Sequence, residues 1–319
     1  MTTSPPDLLA LRDAAKRLAG FAHRTPVATC TTLDRMAGRE LFFKCEHLQK
    51  TGAFKFRGAC NAVLKLPAEL AVRGVVTHSS GNHAGAIALA ARLRGIPAHV
   101  VMPKTASAVK RRAVEEYGAR IVECEPTQEA RETTAAAIAR ETGGTLLPPY
   151  DHPDVIAGQG TAALELLEQV PKLDAIVAPV GGGGLVSGVC IAARGASPLL
   201  RVFAAEPKAA DDAARSKAAH RLLLQTGPVR TIADGLLTSL GELTWPIVRD
   251  CVEAVIVVSE EEIVQAMRLL WERAKLLVEP SSAVALAAVL SDESRTLHGL
   301  HRVGIVLSGG NVDVERLPF

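Results

Sequence analysis

The chain has 319 residues, 48% of them hydrophobic and 22% charged, a balance that supports a packed core and excludes disorder as its main character. With 36 basic and 34 acidic residues the net charge is +2, and aromatics make up only 3%, so neither a broad attractive field nor stacking platforms for nucleic acid are expected. Such a length predicts two domains or one large α/β domain.

The six cysteines, Cys30, Cys45, Cys60, Cys124, Cys190 and Cys251, form no C-x-x-C pair, which argues against a zinc ribbon or a disulfide scaffold and fits a reducing cytoplasm. Asp7, Arg12, Asp13 and Lys16 break every apolar stretch near the start, so no secretion signal is expected. The longest uncharged apolar run, 283–290, falls well short of the roughly 20 residues that cross a bilayer, and no membrane partner is expected.

In chain order, Asp7 followed by Leu8, Leu11, Ala15 and Leu18 predicts a capped amphipathic helix. A strand starts at 41–43, the polar stretch 46–52 interrupts it, and a helical run follows over 54–66, with Lys55 at the junction. From Gly74 the pattern is regular: strand 75–77, helix 84–94, strand 99–102, helix 106–117, strand 120–122, helix 127–142 and a weak strand 145–147. Later strands are expected at 175–178, 201–205, 255–258 and 303–307, with helices at 186–193 and 260–274. In the last of these, Ile263, Met267, Leu270 and Trp271 read as core or subunit interface. Alternation of this kind means mostly parallel sheet with helices on both faces. The Pro-rich segment 148–153 marks the boundary between two sheets.

Ligands of open α/β sheets bind beyond the carboxyl ends of strands. Three glycine-bearing polar segments fall there: Ser79-Ser80-Gly81-Asn82-His83, Gly181 to Gly184, and Ser308-Gly309-Gly310-Asn311. Four successive glycines leading into a helix let the backbone approach an anion, and the helix start adds unpaired N–H groups. A plain glycine turn is the bland alternative. A dinucleotide fingerprint fails on spacing, since Val186 or Ser187 falls at its third glycine, and no Gly-Lys-Ser/Thr of a P-loop follows. A single phosphate monoester is therefore the expected anion. Lys55, between Phe54 and Phe56, has apolar neighbours that favour a free amine able to form a Schiff base, whereas alone it would read as a surface lysine.

Taken together, the blocks KCEHLQKTGAFKFRGA, THSSGNHAGA, IAGQGTAALE, PVGGGGLVSG, AAEPKAADD, TIADG, LVEPSSAVALAAVL and LSGGNVD resemble the fold type II pyridoxal-phosphate enzymes, specifically the serine racemase and serine/threonine dehydratase (ammonia-lyase) group, over nearly the whole chain. That resemblance implies two open, twisted, mostly parallel sheets flanked by helices, with the active site between the domains. It gives a large cofactor-binding domain from 1–67 and 149–319 and a small one from 68–148. Lys55 is implied to carry pyridoxal 5'-phosphate as an imine, with Gly181, Gly182, Gly183, Gly184 and Leu185 around its phosphate. Ser308 would face the ring nitrogen, where a neutral hydroxyl limits the ring as an electron sink. Phe54 and Gly235 would flank the ring, and Asn82 would reach its 3' oxygen. Ser79, Ser80, Asn82 and His83 would hold the substrate carboxylate, His83 mainly by ordering the loop. Ser80 would stand opposite Lys55 as a second base, or serve only as a loop hydroxyl.

Glu206, Ala210 and Asp212 match the family's cation site, whose hard oxygen donors suit Mg2+, Ca2+ or Mn2+; without the resemblance the two acids would be routine surface charges. The expected activity is α,β-elimination from L-serine or L-threonine in a cytoplasmic homodimer. Serine racemisation, hydroxyaspartate ammonia-lysis and a sulfhydrylase-type β-replacement are alternatives, and a non-catalytic binder is a further one. Ala53 and Gly85 stand where the pattern commonly has serine and glutamine, and Gly85 bears on substrate selectivity. With no extension after Phe319, isoleucine feedback is not expected.

Overall fold

Two sheets organise the computed structural model, which describes residues 4–79, 81–106, 108–227 and 229–319. The larger is built from β1 (Val27–Ala28), β2 (Glu40–Cys45), β7 (Ala175–Pro179), β8 (Arg201–Pro207), β9 (Ala254–Val258) and β10 (Arg302–Leu307), in the order β1-β2-β10-β7-β8-β9. The smaller contains β3 (Val75–His78), β4 (Ala98–Pro103), β5 (Arg120–Cys124) and β6 (Thr145–Leu146), in the order β5-β4-β3-β6. Among the strands of the described residues, β1 pairs antiparallel with β2 and the other pairings are parallel. The α/β architecture is the one the alternating pattern predicts.

Burial follows the two-residue period of a strand. Ala175, Val177, Phe203 and Ala205 face one core with the helix Pro280–Leu290, while Ile176, Ala178, Val202 and Ala204 face another with the helix Gly184–Ala196. Because both faces are covered, β7 reads as an unbroken apolar run. In the smaller sheet Val75, Val100 and Met102 pack on one side, Val76 and Val101 on the other.

The helix Pro153–Gln169 escapes the periodicity reading because glycines at 158 and 160 weaken its helical pattern. Those glycines serve a close crossing: a Cβ on Gly160 would meet the Gly188 carbonyl at 2.9 Å, and one on Gly158 would meet Gly58 Cα at 2.6 Å. Three helices thereby converge, carrying Lys55, the 153–169 segment and the glycine loop. The helix expected to run through 274 is α-helical only over Glu260–Leu269; Leu270–Ala274 widens into a π-turn that ends at Lys275, with φ of 60°.

Candidate active site

Strand register brings the glycine-bearing segments together. Ile305 of β10 pairs with Val177 of β7, so Ser308 and Val180-Gly181 leave the larger sheet side by side. Residues 52–54 are zipped to 308–310 by backbone bonds, Phe54 N–H donating to Ser308 O at 2.9 Å and Gly310 N–H to Gly52 O at 2.9 Å. The chain then turns directly into the helix Lys55–Lys65, which fixes Lys55 beside the end of β10. One cavity is lined by Phe54, Lys55, Ser79, Asn82, His83, Gly181 to Gly184, Leu185, Gly235 and Ser308, the sequence candidates for cofactor and substrate contact that fall among the described residues. Ser80 lies outside the described residues.

Lys55 Nζ donates to Pro149 O at 2.7 Å and sits 5.2 Å from the Phe54 ring centroid. Packing around the amine removes water from its charged form and lowers its pKa from 10.5 to about 8, with the Glu279 carboxylate pulling weakly the other way. The free amine is thus accessible near neutral pH.

Gly183 is the N-cap of the helix Gly184–Ala196, with φ of 86°, and no side chain caps that helix. Its first N–H groups are left for a ligand. A Cβ on Gly182 would drive into the Tyr150 ring, and one on Gly183 would come within 2.8 Å of Thr244 Oγ1. Packing behind the loop by itself requires glycine at both positions.

On the opposite side, Gly81 N–H donates to Ser79 Oγ at 3.2 Å. The buried His83 sets Nε2 at 3.4 Å from Leu147 O and leaves Nδ1 without a partner. Burial first, then the nearby Lys55 charge, holds His83 well below its ordinary value, which favours the neutral ring. Asn82 Nδ2 donates to Glu279 Oε1 at 2.8 Å, and its Oδ1 accepts from Asn311 Nδ2 at 2.8 Å.

Sequence reasoning passed over several residues of this cavity. Glu279 is 3% exposed, and its signal was present: an acid between Val278 and Pro280 at the head of an apolar helix. Burial, then repulsion from Asp234, pushes its carboxyl up to about 7. Lys110 and Asp234 pair across the mouth. Arg131 lines the cavity with its Nε buried and without a hydrogen-bond partner; nothing in the helical pattern of 128–142 distinguishes it.

Glu206 and Asp212 lie apart from this cavity, both buried. Glu206 accepts from the N–H groups of Ala214 at 2.7 Å and Ala213 at 3.2 Å, and Asp212 from Leu240 N–H at 3.1 Å and Gln225 Nε2 at 3.3 Å. Burial is the main reason that Glu206 rises to about 8 and Asp212 to about 6; Asp212 also repels Glu206. Among the described residues no group of three or more His, Cys, Asp or Glu side chains is arranged to hold a metal ion. The expected set, with two carboxylates and the Ala210 carbonyl, asks for only two such side chains. Among the described residues, likewise, no helix is long and apolar enough to cross a membrane.

Residues 18–309 match the family model described as "Pyridoxal-phosphate dependent enzyme". A serine racemase of Arabidopsis thaliana is 54% identical over 98% of this chain and 95% of the relative. A beta-hydroxyaspartate dehydratase of Paracoccus denitrificans is 49% identical over 98% of each chain. The solved structure of maize serine racemase superposes with a TM-score of 0.96 at 51% identity, covering 97% of this chain and 95% of the other.

Proposed function

This chain belongs to the pyridoxal-phosphate dependent enzyme family, and on that premise we propose that it removes water from a small L-amino acid bearing a β-hydroxyl, serine or threonine, to give a 2-oxo acid and ammonia. The observation that carries this reading is the water-poor Lys55 amine facing a cavity bounded by an uncapped helix start. The residues present fit the cofactor: an amine lowered to about 8 for its aldehyde, and unpaired N–H groups at 184–186 for its phosphate. When bound, pyridoxal phosphate supplies an electron sink for negative charge at the substrate α-carbon.

In this reading Gly181 to Gly184 and Leu185 would hold the phosphate, Phe54 and Gly235 would flank the ring, Ser308 would face its nitrogen, and Asn82 would donate to its 3' oxygen. Ser79, Ser80, the backbone N–H of Asn82 and His83 would receive the substrate carboxylate. Lys55 Nζ, once neutral, takes the α-proton. The β-hydroxyl takes a proton and leaves as water, and the unsaturated amine that is released hydrolyses to 2-oxo acid and ammonia. Glu206, Asp212 and the Ala210 carbonyl would hold Mg2+, Ca2+ or Mn2+ in a structural or activating role, supported by two buried acids that accept from backbone N–H groups and the Gln225 amide, while Arg215 bonds instead to Asp211 and Gln225.

Two further readings have support of their own. The serine racemase relatives favour return of the proton from the other face, for which Ser80 is the candidate. Arg131, which lines the cavity and whose buried Nε has no hydrogen-bond partner among the described residues, favours a second substrate carboxylate, as in hydroxyaspartate. Borohydride reduction and peptide mapping should place the reduced cofactor on Lys55; an unmodified Lys55 peptide from cofactor-loaded protein rejects the whole assignment. Incubation with L-serine, L-threonine and the hydroxyaspartate isomers, followed for 2-oxo acid and for the D-enantiomer, then separates the three readings.

A further inference from the structure

Glu279 has no part in the chemistry just described, yet it is the most enclosed acid of the cavity. Its Oε1 accepts from Asn82 Nδ2 at 2.8 Å and its Oε2 from Asn311 N–H at 3.1 Å. Asn311 Nδ2 in turn donates to Asn82 Oδ1 at 2.8 Å and to Thr51 O at 2.7 Å. The relay joins the start of the helix Asn82–Arg94, which follows β3 of the smaller sheet, to the loop after β10 of the larger one.

A carboxylate has only acceptors to offer. Glu279 therefore dictates that the nitrogen end of the Asn82 amide turns toward it, and the oxygen end toward Asn311. With one amide hydrogen committed to Glu279 and the oxygen taken by Asn311, Asn82 keeps a single N–H for a ligand.

We infer that Glu279, as a carboxylate, is a positioning residue that sets which way round the Asn82 amide stands and so reserves one N–H for the 3' oxygen of the cofactor. The inference rests on the cofactor placement proposed above. A neutral carboxamide at 279 offers a donor of its own, so Asn82 can turn over, present its oxygen to residue 279 and lose the ligand-facing N–H.

The groups facing Glu279 are Asn82 and Lys110 from the smaller-sheet side, Asp234 and Asn311 from the larger, and Lys55 across the cavity. Burial, reinforced by Asp234 and opposed by Lys110, raises its carboxyl from 4.5 to about 7. Two opposite pH trends follow. Because the fold raises this acid, its contribution to the stability of the cofactor-free protein is present below 4.5 and is lost as pH rises toward about 7. Cofactor retention moves the other way, strengthening as the carboxylate forms across pH 7.

The test prepares wild type, Glu279→Gln, Glu279→Asp, Asn82→Ala and the Asn82→Ala/Glu279→Gln double variant with and without pyridoxal phosphate. It measures the cofactor dissociation constant and the visible absorption spectrum from pH 6 to 9, and the melting temperature of the cofactor-free forms. Glu279→Gln should weaken cofactor binding about 10-fold to 100-fold, the range for one misplaced buried donor, and remove the rise in affinity across pH 7 while leaving the dependence that Lys55 imposes nearer 8. Glu279→Asp should restore most of the affinity, and the double variant should be little worse than Asn82→Ala alone, since both act through one N–H. Wild-type affinity and pH profile in Glu279→Gln, or losses that multiply in the double variant, overturn the inference. If Asn82→Ala binds like wild type, the ring placement is wrong and the inference falls with it; a Lys55 adduct after borohydride would show that the family chemistry survives.

Discussion

Two buried clusters of charge in this protein are built in opposite ways. Around Arg57, two cations and two acids neutralise one another: Nε donates to Glu46 Oε2 and Nη1 to Glu165 Oε1, both at 2.7 Å, and Lys44 Nζ reaches Glu165 Oε2 at 2.7 Å. Thr25 and Gln169 fill further positions. Burial would lift Glu165, but its bonds to Arg57 and Lys44 outweigh that and hold it below the usual carboxylate range. The other cluster, Glu206 with Asp212, has backbone N–H groups and one Gln225 amide for donors, while Arg215 gives its guanidinium to Asp211 and Gln225. Both of its acids rise. Complementary charges close a buried cluster from within the chain, whereas like charges leave it open to a cation from outside.

The closed cluster should give the largest response when broken. Arg57→Met removes the cation shared by two acids, one of them 0% exposed, and leaves them facing protein interior. Removing one partner of a buried pair costs about 3–5 kcal/mol. The urea midpoint should fall accordingly, and because Arg57 lies one half-turn after Lys55 the cofactor should dissociate at lower denaturant. An unchanged midpoint would mean that the two acids find other partners and do not depend on Arg57.

How far such features can be read from sequence depends on whether their causes are local. Alternating strand and helix periods made the two parallel sheets legible, and the glycine run pointed to its helix start because both signals sit within a few residues. Lys55, Asn82, Gly235 and Ser308 could be proposed for one site through the resemblance, and the fold does line one cavity with them. Glu279 was legible only as an unexplained acid at the head of an apolar helix, because its meaning comes from Asn82, 197 residues away, and Arg131 was not legible at all, since a buried Nε without a partner is not written in periodicity. Arg57 stands in the same block as Lys55, but its two acids come from β2's end and from a helix 108 residues later. The Pro153–Gln169 helix was missed for a related reason: its glycines answer to helices elsewhere in the chain.

The open cluster gives a smaller response, and it comes from addition. If the cluster takes Mg2+ as proposed, the ion at about 100 times its dissociation constant should stabilise by about 2.7 kcal/mol, a rise of a few degrees in melting temperature for a chain of this size. Asp212→Asn should remove most of that rise while Arg57→Met should keep it. Melting that is the same in Mg2+ and in chelator would show that the backbone donors alone close this cluster, and the contrast with Arg57 would disappear.

The smallest effect belongs to an exposed pair of the same chemistry. Lys104 Nζ and Glu125 Oε1 approach to 2.6 Å, closer than Arg57 to Glu46, yet their side chains are 58% and 65% exposed. Water competes for both charges and salt screens what remains, so contact distance says little about worth. Glu125→Gln should leave the urea midpoint unmoved at any salt concentration, although the same loss of one charge at Arg57 is severe. A drop for Glu125→Gln approaching that of Arg57→Met would mean that separation, and not removal from water, sets the strength of ion pairs in this fold; equal midpoints at low and high salt place the difference in burial.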